Sequence, residues 1–177
     1  MTAKGTLWTW GNAQFSKLGH GDRETRKRTK RMGKEMYGGS PVEMVPCGQE
    51  HTLLLTAVGV WSCGWGDYGQ LGHGDTADKL VLTLVGAEGF RGVQIDMVAV
   101  GGAHSVALGA DGRVWTWGNG RFGQLGHNDG GNRLVPTLLE LEGEALGGAV
   151  AVLVVAAGGA HAGADSRGHP AAGTCWC

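Results

Sequence analysis

The feature that most limits what this chain can fold into is an internal repeat. Three stretches share one order of aromatic, glycine, leucine and histidine positions: LWTWGNAQFSKLGHGD (7–22), VWSCGWGDYGQLGHGD (60–75) and VWTWGNGRFGQLGHND (114–129). Their leading tryptophans, Trp8, Trp61 and Trp115, are 53 and 54 residues apart. A period of this length is typical of proteins that stack one small structural unit several times. The chain is therefore predicted to consist of similar consecutive units.

A shorter motif lies between these stretches and defines the unit boundaries. It reads CGQEH, VGGAH and AGGAH, and it ends at His51, His104 and His161. The predicted division is a first repeat over 1–46, a second over 47–99, a third over 100–156 and a degraded start of a fourth over 157–177. The fourth is degraded because HSVAL of the third repeat is replaced by HAGAD.

Short β-rich runs separated by glycine turns fill the space between the motifs. After the second LGH motif these runs cover 80–85, 95–100, 104–108 and 113–118, and Asp111-Gly112 predicts a hairpin turn before the last run. About four strands for each unit of 53 residues is the content of a β-propeller blade. The predicted fold class is all-β, a partial β-propeller made of four-stranded blades.

The glycine pattern GNGRFG at 118–123 also matches G-x-G-x-x-G, the signature of a dinucleotide site. Such a site needs the glycine loop to open a helix whose first turn faces the phosphates. Here the loop runs into QLGHNDGGNR, which has no helical periodicity, and the pattern recurs in other units. Glycine makes up 35 of 177 residues, and we interpret these glycines as turn residues.

The core G-x-N-x-x-G-Q-L-G-H, with GGxH at the other end of each unit, resembles the repeat of the regulator of chromosome condensation family. The third unit matches it at Gly118, Asn119 and 123–126. The second has Trp65 where asparagine is usual, and the first has Ser16 and Lys17 in place of Gly-Gln. The resemblance implies a propeller of usually seven blades, of which this chain holds about three, beginning and ending inside a blade.

The same resemblance implies a non-enzymatic protein–protein interaction module, which we interpret as a fragment of a larger propeller. One alternative is guanine-nucleotide exchange on a small Ran-like GTPase, although the repeat spacing leaves little room for the inserted hairpin of the founding member. A second alternative is a targeting propeller within a larger ubiquitin ligase or signalling protein. The implied partner is a protein, either a small GTPase or a chromatin protein, and the open blade faces allow self-association.

No catalytic residue, cofactor or metal site is predicted. Six of the seven histidines recur at two equivalent repeat positions, which favours hydrogen bonds to neighbouring loops over chemistry. Cys47, His51, Cys63 and His73 offer a Cys₂His₂ set, but the cysteines stand at positions where other units carry apolar residues. The recurring tryptophans are interpreted as core residues.

The basic segment RETRKRTKRMGK at 23–34 is the main departure from the repeat, with seven Lys/Arg and one acid. In register, KRTKRM at 27–32 replaces LVLTLV at 80–85, which is expected to be buried. Because burying unpaired charges is costly, this basic segment is predicted to be exposed, either as a solvated edge strand or as a disordered loop. Partner contact or nuclear import is assigned to one cluster: Arg26, Lys27, Arg28, Lys30 and Arg31.

The cellular context is predicted from what the composition excludes. The amino terminus has no apolar signal region, and the longest apolar run, at 149–157, is too short for a membrane helix. Four irregularly spaced cysteines are typical of free thiols in a reducing compartment. We predict a soluble intracellular protein of the cytoplasm or nucleus. Residues 1–40 carry a net charge of +6 and the remainder −7, so the basic segment stands alone.

Overall fold

The computed structural model describes residues 5–140, 154–157 and 162–165 of the chain. Twelve antiparallel strands occupy these ranges. They are β1 (Trp8–Gly11), β2 (Arg26–Arg31), β3 (Val42–Met44), β4 (His51–Thr56), β5 (Gly59–Gly64), β6 (Lys79–Leu84), β7 (Ile95–Val100), β8 (His104–Gly109), β9 (Val114–Gly118), β10 (Arg133–Leu138), β11 (Val154–Ala157) and β12 (Ala162–Asp165). The helices of the described ranges are short 3-10 turns over Gln14–Ser16, Lys34–Tyr37 and Ala87–Phe90. None of them has the length and apolar character that a membrane span needs.

The strands form two four-stranded meanders and two two-stranded sheets, so the predicted fold class is confirmed. One meander runs β3-β4-β5-β6 and the next runs β7-β8-β9-β10, while β1 pairs with β2 and β11 pairs with β12. The four runs predicted after the second LGH motif are all strands. The first of them, β6, completes one sheet and the other three begin the next, so the sequence repeat is offset from the blade.

Repeat alignment shows which halves of a blade the two-stranded sheets represent. β1 carries the tryptophan motif of β5 and β9, so β1 and β2 correspond to the outer pair β5-β6. β12 follows the GGxH motif like β4 and β8, so β11 and β12 correspond to an inner pair such as β7-β8. The described residues therefore form an outer half-blade, two complete blades and an inner half-blade.

Burial differs between the two middle strands of a blade and its two edge strands, because neighbouring blades cover the middle strands on both faces. Every residue of β4 and β8 is buried, including polar residues such as His51, Thr52 and Ser105. The outermost strands β6 and β10 each bury one residue, and their other residues are partly or fully exposed. The hydrophobic core consequently lies between blades, not within a sheet.

Two inter-blade clusters hold the described arc together. The first joins the two complete blades, where Leu53, Leu55 and Val60 pack against Trp115 and Trp117. The second joins β1-β2 to the following blade, and its members are Leu7, Met32, Tyr37, Val42, Leu54, Cys63 and Leu82. Successive blades thus repeat one packing arrangement with different side chains.

The loop after each tryptophan strand contains a left-handed backbone position. Gly69 and Gly123 adopt φ values of +78° and +74° there, as glycine does readily. In the first blade the equivalent residue is Ser16, which adopts φ +63° and is fully buried. Its hydroxyl Oγ has no hydrogen-bond partner among the described residues. Where the other repeats have glycine, the β1-β2 half-blade therefore has a serine with a strained backbone and an unsatisfied hydroxyl.

Candidate interaction surface

The histidines of the LGH motifs form the same hydrogen-bonded triad in three blades. His73 Nε2 lies 2.8 Å from Ser62 Oγ, and that hydroxyl donates to the Leu71 carbonyl at 2.8 Å. His20 with Thr9, and His127 with Thr116, repeat this arrangement at 2.8 and 2.9 Å. The sequence favoured hydrogen bonds from these histidines to neighbouring loops. The structure instead gives each of them a strand hydroxyl as its partner, and that hydroxyl bonds a carbonyl of the histidine's own LGH loop.

Burial keeps these imidazoles neutral. Desolvation lowers the pKa of His20, His73 and His127, and nearby Lys or Arg charges lower it further. Burial, and then the neighbouring His104, lower the pKa of His51 to about 3. A neutral His51 bonds across the blade boundary, with Nε2 3.0 Å from Ser105 Oγ. These histidines serve as structural hydrogen-bonding groups near pH 7.

In the first two LGH loops, one carbonyl receives donors from the following blade. The Gln70 carbonyl accepts from Ser105 Oγ at 2.8 Å and from Trp117 Nε1 at 2.9 Å. At the preceding boundary, the Lys17 carbonyl accepts from Thr52 Oγ1 at 2.8 Å. These buried bonds fix the register of one blade on the next, and sequence reasoning did not identify them.

The repeated tryptophans differ in their exposure to solvent. Trp115 and Trp117 are fully buried, as predicted for core residues. The core prediction is wrong for Trp8 and Trp10, whose residues are 38% and 61% exposed. The reason is that this face of a blade packs on the blade before it, and no described element lies against β1 on that side.

The basic segment forms the strand β2, so of the two predicted forms it is the edge strand. β2 pairs antiparallel with β1, and Arg31 stands opposite Trp8. Lys27, Arg28, Lys30 and Arg31 are exposed and form no ion pair with the described residues. They give the strand four solvent-facing positive charges, which we call the cationic strand.

Arg26 behaves differently from the rest of the predicted contact cluster. Its guanidinium pairs with Asp22 and with Glu24, at 2.5 and 2.6 Å. The same i,i+4 ion pair recurs as Asp75–Lys79 at 2.8 Å and as Asp129–Arg133 at 2.7 Å. Arg26 therefore closes the turn before the outer strand in the manner of its counterparts.

The expectation that the counterpart of the cationic strand is buried is wrong. Leu80, Val81 and Leu84 in β6 are all more than 40% exposed. Within 80–85 the buried residues are Leu82 and Val85. Their equivalents are Thr29, which is exposed, and Met32, which is buried. Outer strands lie at the rim of the arc, where a preceding blade covers little of them. Basic residues thus replace exposed apolar residues there, at small energetic cost.

A cleft of about 800 Å³ adjoins the inner edge of β1. It is lined on one side by Leu7, Trp8 and Trp10, and on the other by Thr52 and Leu54 of β4. In the complete blades, an inner pair of strands occupies the corresponding position next to β5 or β9. Neither this cleft nor the exposed tryptophans can be located from sequence, because both depend on which neighbouring strands are present.

The two cysteines of the Cys₂His₂ set weighed in the sequence differ in their surroundings. No group of three or more His, Cys, Asp or Glu side chains suited to a metal occurs within the described residues. Cys47 is exposed, whereas Cys63 is buried beneath the first half-blade. Burial raises the pKa of the Cys63 thiol to about 12, which keeps it protonated.

Similarity to known proteins agrees with this architecture. The chain is 37% identical to the ultraviolet-B receptor UVR8 of Arabidopsis thaliana over 141 residues, 79% of this chain and 31% of that protein. It is 38% identical to the human E3 ubiquitin-protein ligase HERC2 over 146 residues, 81% of this chain and 3% of that protein. The chain therefore spans a third or less of these relatives.

A solved structure and a family model complete the comparison. The crystal structure of Prp20p from Saccharomyces cerevisiae, reported with its binding properties to Gsp1p and histones, superposes with a TM-score of 0.73 at 24% identity. That match covers 87% of this chain and 38% of Prp20p. The model of the regulator of chromosome condensation (RCC1) repeat matches residues 4–55, 59–108 and 111–164. The chain belongs to the regulator of chromosome condensation (RCC1) repeat family.

Proposed function

We propose that this chain is a non-enzymatic protein–protein interaction module, and that the cationic strand binds an acidic segment of its partner. The observation that carries the proposal is a set of four exposed basic side chains on β2 that form no ion pair with the described residues: Lys27, Arg28, Lys30 and Arg31. In β6 and β10, the outermost strands of the two complete blades, the equivalent positions are largely apolar. The charge is therefore a property of this blade and not of the scaffold.

The geometry favours an extended peptide over a nucleic acid. β2 pairs only with β1 in the described part of the chain, so its outer edge offers backbone donors and acceptors to an added strand. Residues 41–177 carry a net charge of −7, which opposes a long polyanion that spreads beyond one strand. A short acidic strand satisfies both conditions.

The test measures binding of labelled poly-L-glutamate to the full chain by fluorescence anisotropy at low salt. The variant Lys27→Glu/Arg28→Glu reverses two of the strand's charges. Exposed ion pairs contribute about 0.2–1 kcal/mol each, so replacing attraction by repulsion at two sites is expected to weaken binding about tenfold. Duplex DNA of matched charge serves as the competing probe.

The matched control is Arg91→Glu/Arg121→Glu, which makes the same change in net charge at two exposed arginines outside the strand. It is expected to leave polyglutamate binding within about twofold of the unmodified chain. Equal weakening by both variants would mean that net charge, and not the strand, governs binding. Tighter binding to DNA than to polyglutamate would replace the protein partner by a nucleic acid.

Three finer functions extend this proposal. Guanine-nucleotide exchange on a Ran-like GTPase is motivated by the reported binding of Prp20p to Gsp1p, and a nucleotide-release assay tests it. Targeting within a larger ligase is motivated by the likeness to part of HERC2. Nuclear import is motivated by the exposed Lys27–Arg31 run, and the same charge-reversal variant tests it by relocating a fluorescent fusion.

A further inference from the structure

We propose that the acidic segment bound by the cationic strand continues into apolar residues, and that these bind Leu80 and Val81 of the neighbouring strand β6. The proposal rests on the proposed function, because the cationic strand holds the acidic end, and it adds a second contact that selects one class of partner peptide. Leu80 and Val81, which we call the apolar subsite, are each 43% exposed. Exposed apolar side chains bordered by charged ones are typical of protein interaction sites.

The turn that leads into the cationic strand lies against the apolar subsite. The Gly21 N–H donates to the Leu80 carbonyl at 2.9 Å. A Cβ on Gly21 would lie 3.4 Å from Val81 Cγ1, so the turn and the subsite are in contact. β2 begins soon afterwards, at Arg26. A short extended segment therefore reaches both the first cations of the strand and the apolar subsite.

The two strands are also joined beneath the surface. Met32, which follows β2, and Leu82 of β6 belong to one buried cluster. A Cβ on Gly19 would lie 3.2 Å from Met32 Cε and 3.4 Å from Leu82 Cγ, so both side chains pack on the same loop. This packing fixes the cationic strand relative to the apolar subsite. A preformed arrangement of this kind lowers the cost of ordering the site when a partner binds.

Exposure of both parts of the site is a property of the outermost strand of a blade. β6 lies between two described sheets, since Leu82 packs towards β1-β2 and Val85 packs towards the following blade. Leu80 and Val81 stay exposed despite both neighbours. Lys27 and Arg28 occupy the equivalent positions in β2. Their exposure therefore does not depend on whether another sheet precedes β1.

Charge around the site favours a peptide over a lipid surface. Acidic side chains lie beside both strands, with Asp22 and Glu24 before β2 and with Asp75 and Asp78 before β6. An extended anionic bilayer would meet these carboxylates, whereas a short segment avoids them by following the rim. Charge complementarity then places the acidic residues of that segment on the cationic strand and its apolar residues on the apolar subsite.

The test compares two labelled peptides in anisotropy titrations with the full chain. One has four glutamates followed by three leucines, and the other has four glutamates followed by three serines. The leucine peptide is expected to bind about tenfold more tightly, since it buries apolar side chains on the subsite. Leu80→Ser/Val81→Ser is expected to remove this preference. Because it changes no charge, it is expected to leave binding of the serine peptide within about twofold.

The matched control is Val135→Ser. Val135 occupies the position of Val81 in β10 and is 46% exposed. This variant is expected to change neither affinity. Equal affinities of the unmodified chain for the two peptides, or a preference that survives Leu80→Ser/Val81→Ser, would overturn the proposal. Phosphatidylserine vesicles that bind more tightly than the leucine peptide, through the same two residues, would replace the peptide by a lipid surface.

The serine peptide separates failure of this proposal from failure of the proposed function. If Lys27→Glu/Arg28→Glu weakens its binding while the leucines add nothing, the apolar subsite is refuted and the proposed function stands. If that variant leaves the binding of both peptides unchanged, the cationic strand is not the acidic subsite, and both proposals fail. The combined result expected is a preference for leucine that depends on β6 and an affinity for glutamate that depends on β2.

Discussion

Replacing Ser16 by glycine is expected to stabilise the chain. Ser16 is fully buried, adopts φ +63°, and leaves its hydroxyl without a hydrogen-bond partner among the described residues. Relief of the left-handed conformation contributes about 1–2 kcal/mol, and removal of an unsatisfied buried hydroxyl contributes about 1–3 kcal/mol. The greater flexibility of glycine in the unfolded chain offsets about 0.5–1 kcal/mol. The net gain is about 2 kcal/mol.

Urea denaturation followed by tryptophan fluorescence measures this gain. A chain of this size has an m-value of about 2 kcal/mol/M, so Ser16→Gly is expected to raise the midpoint by about 1 M. The m-value itself is expected to stay constant, because the change affects one loop position. A lower midpoint for Ser16→Gly would refute the reasoning.

The equivalent glycines of the other blades supply matched controls. A Cβ at Gly123 meets nothing within 4 Å, so Gly123→Ser is expected to cost only the left-handed strain of about 1–2 kcal/mol. A Cβ at Gly69 would lie 2.5 Å from Leu134 Cδ2 and 2.7 Å from its Cα. Because backbone cannot rotate away, Gly69→Ser is expected to cost distinctly more. Equal costs at the two glycines would contradict the packing argument.

Acidification and an indole pair provide two further tests. Because burial lowers the pKa of His51 to about 3, the unfolded state binds the proton first, and stability present above pH 6.5 is lost on acidification. Between pH 6.5 and 4.5, His51 alone lowers the free energy of unfolding by about 2–3 kcal/mol, so His51→Gln is expected to lose that much less stability over this range. Equal losses in the two chains would exclude His51 as the cause. Trp117→Phe loses the bond to the Gln70 carbonyl, whereas Trp115→Phe loses none, so Trp117→Phe should cost about 1 kcal/mol more in urea melts. A larger cost at Trp115 would disprove the role of that bond.

The repeat made much of this site predictable. The positions of His20, His73 and His127 in one motif indicated a structural role, and three equivalent hydroxyl contacts confirm it. The charge run at 23–34 indicated an exposed segment, either an edge strand or a disordered loop, and the structure shows the strand β2. Arg26 was grouped with that run, since sequence proximity does not show that Asp22 already neutralises it.

The sequence alone determined the strands, the turns and the blade content of this protein, because these depend on local patterns that recur every 53 or 54 residues. Only the tertiary structure decided which of those patterns form a core. The segments WTWGN at 8–12 and 115–119 are identical, yet Trp10 is 61% exposed and Trp117 is fully buried. The physical reason is that a blade buries this face on the blade before it. Burial is therefore a property of the neighbouring sheet and is not encoded in the pentapeptide itself.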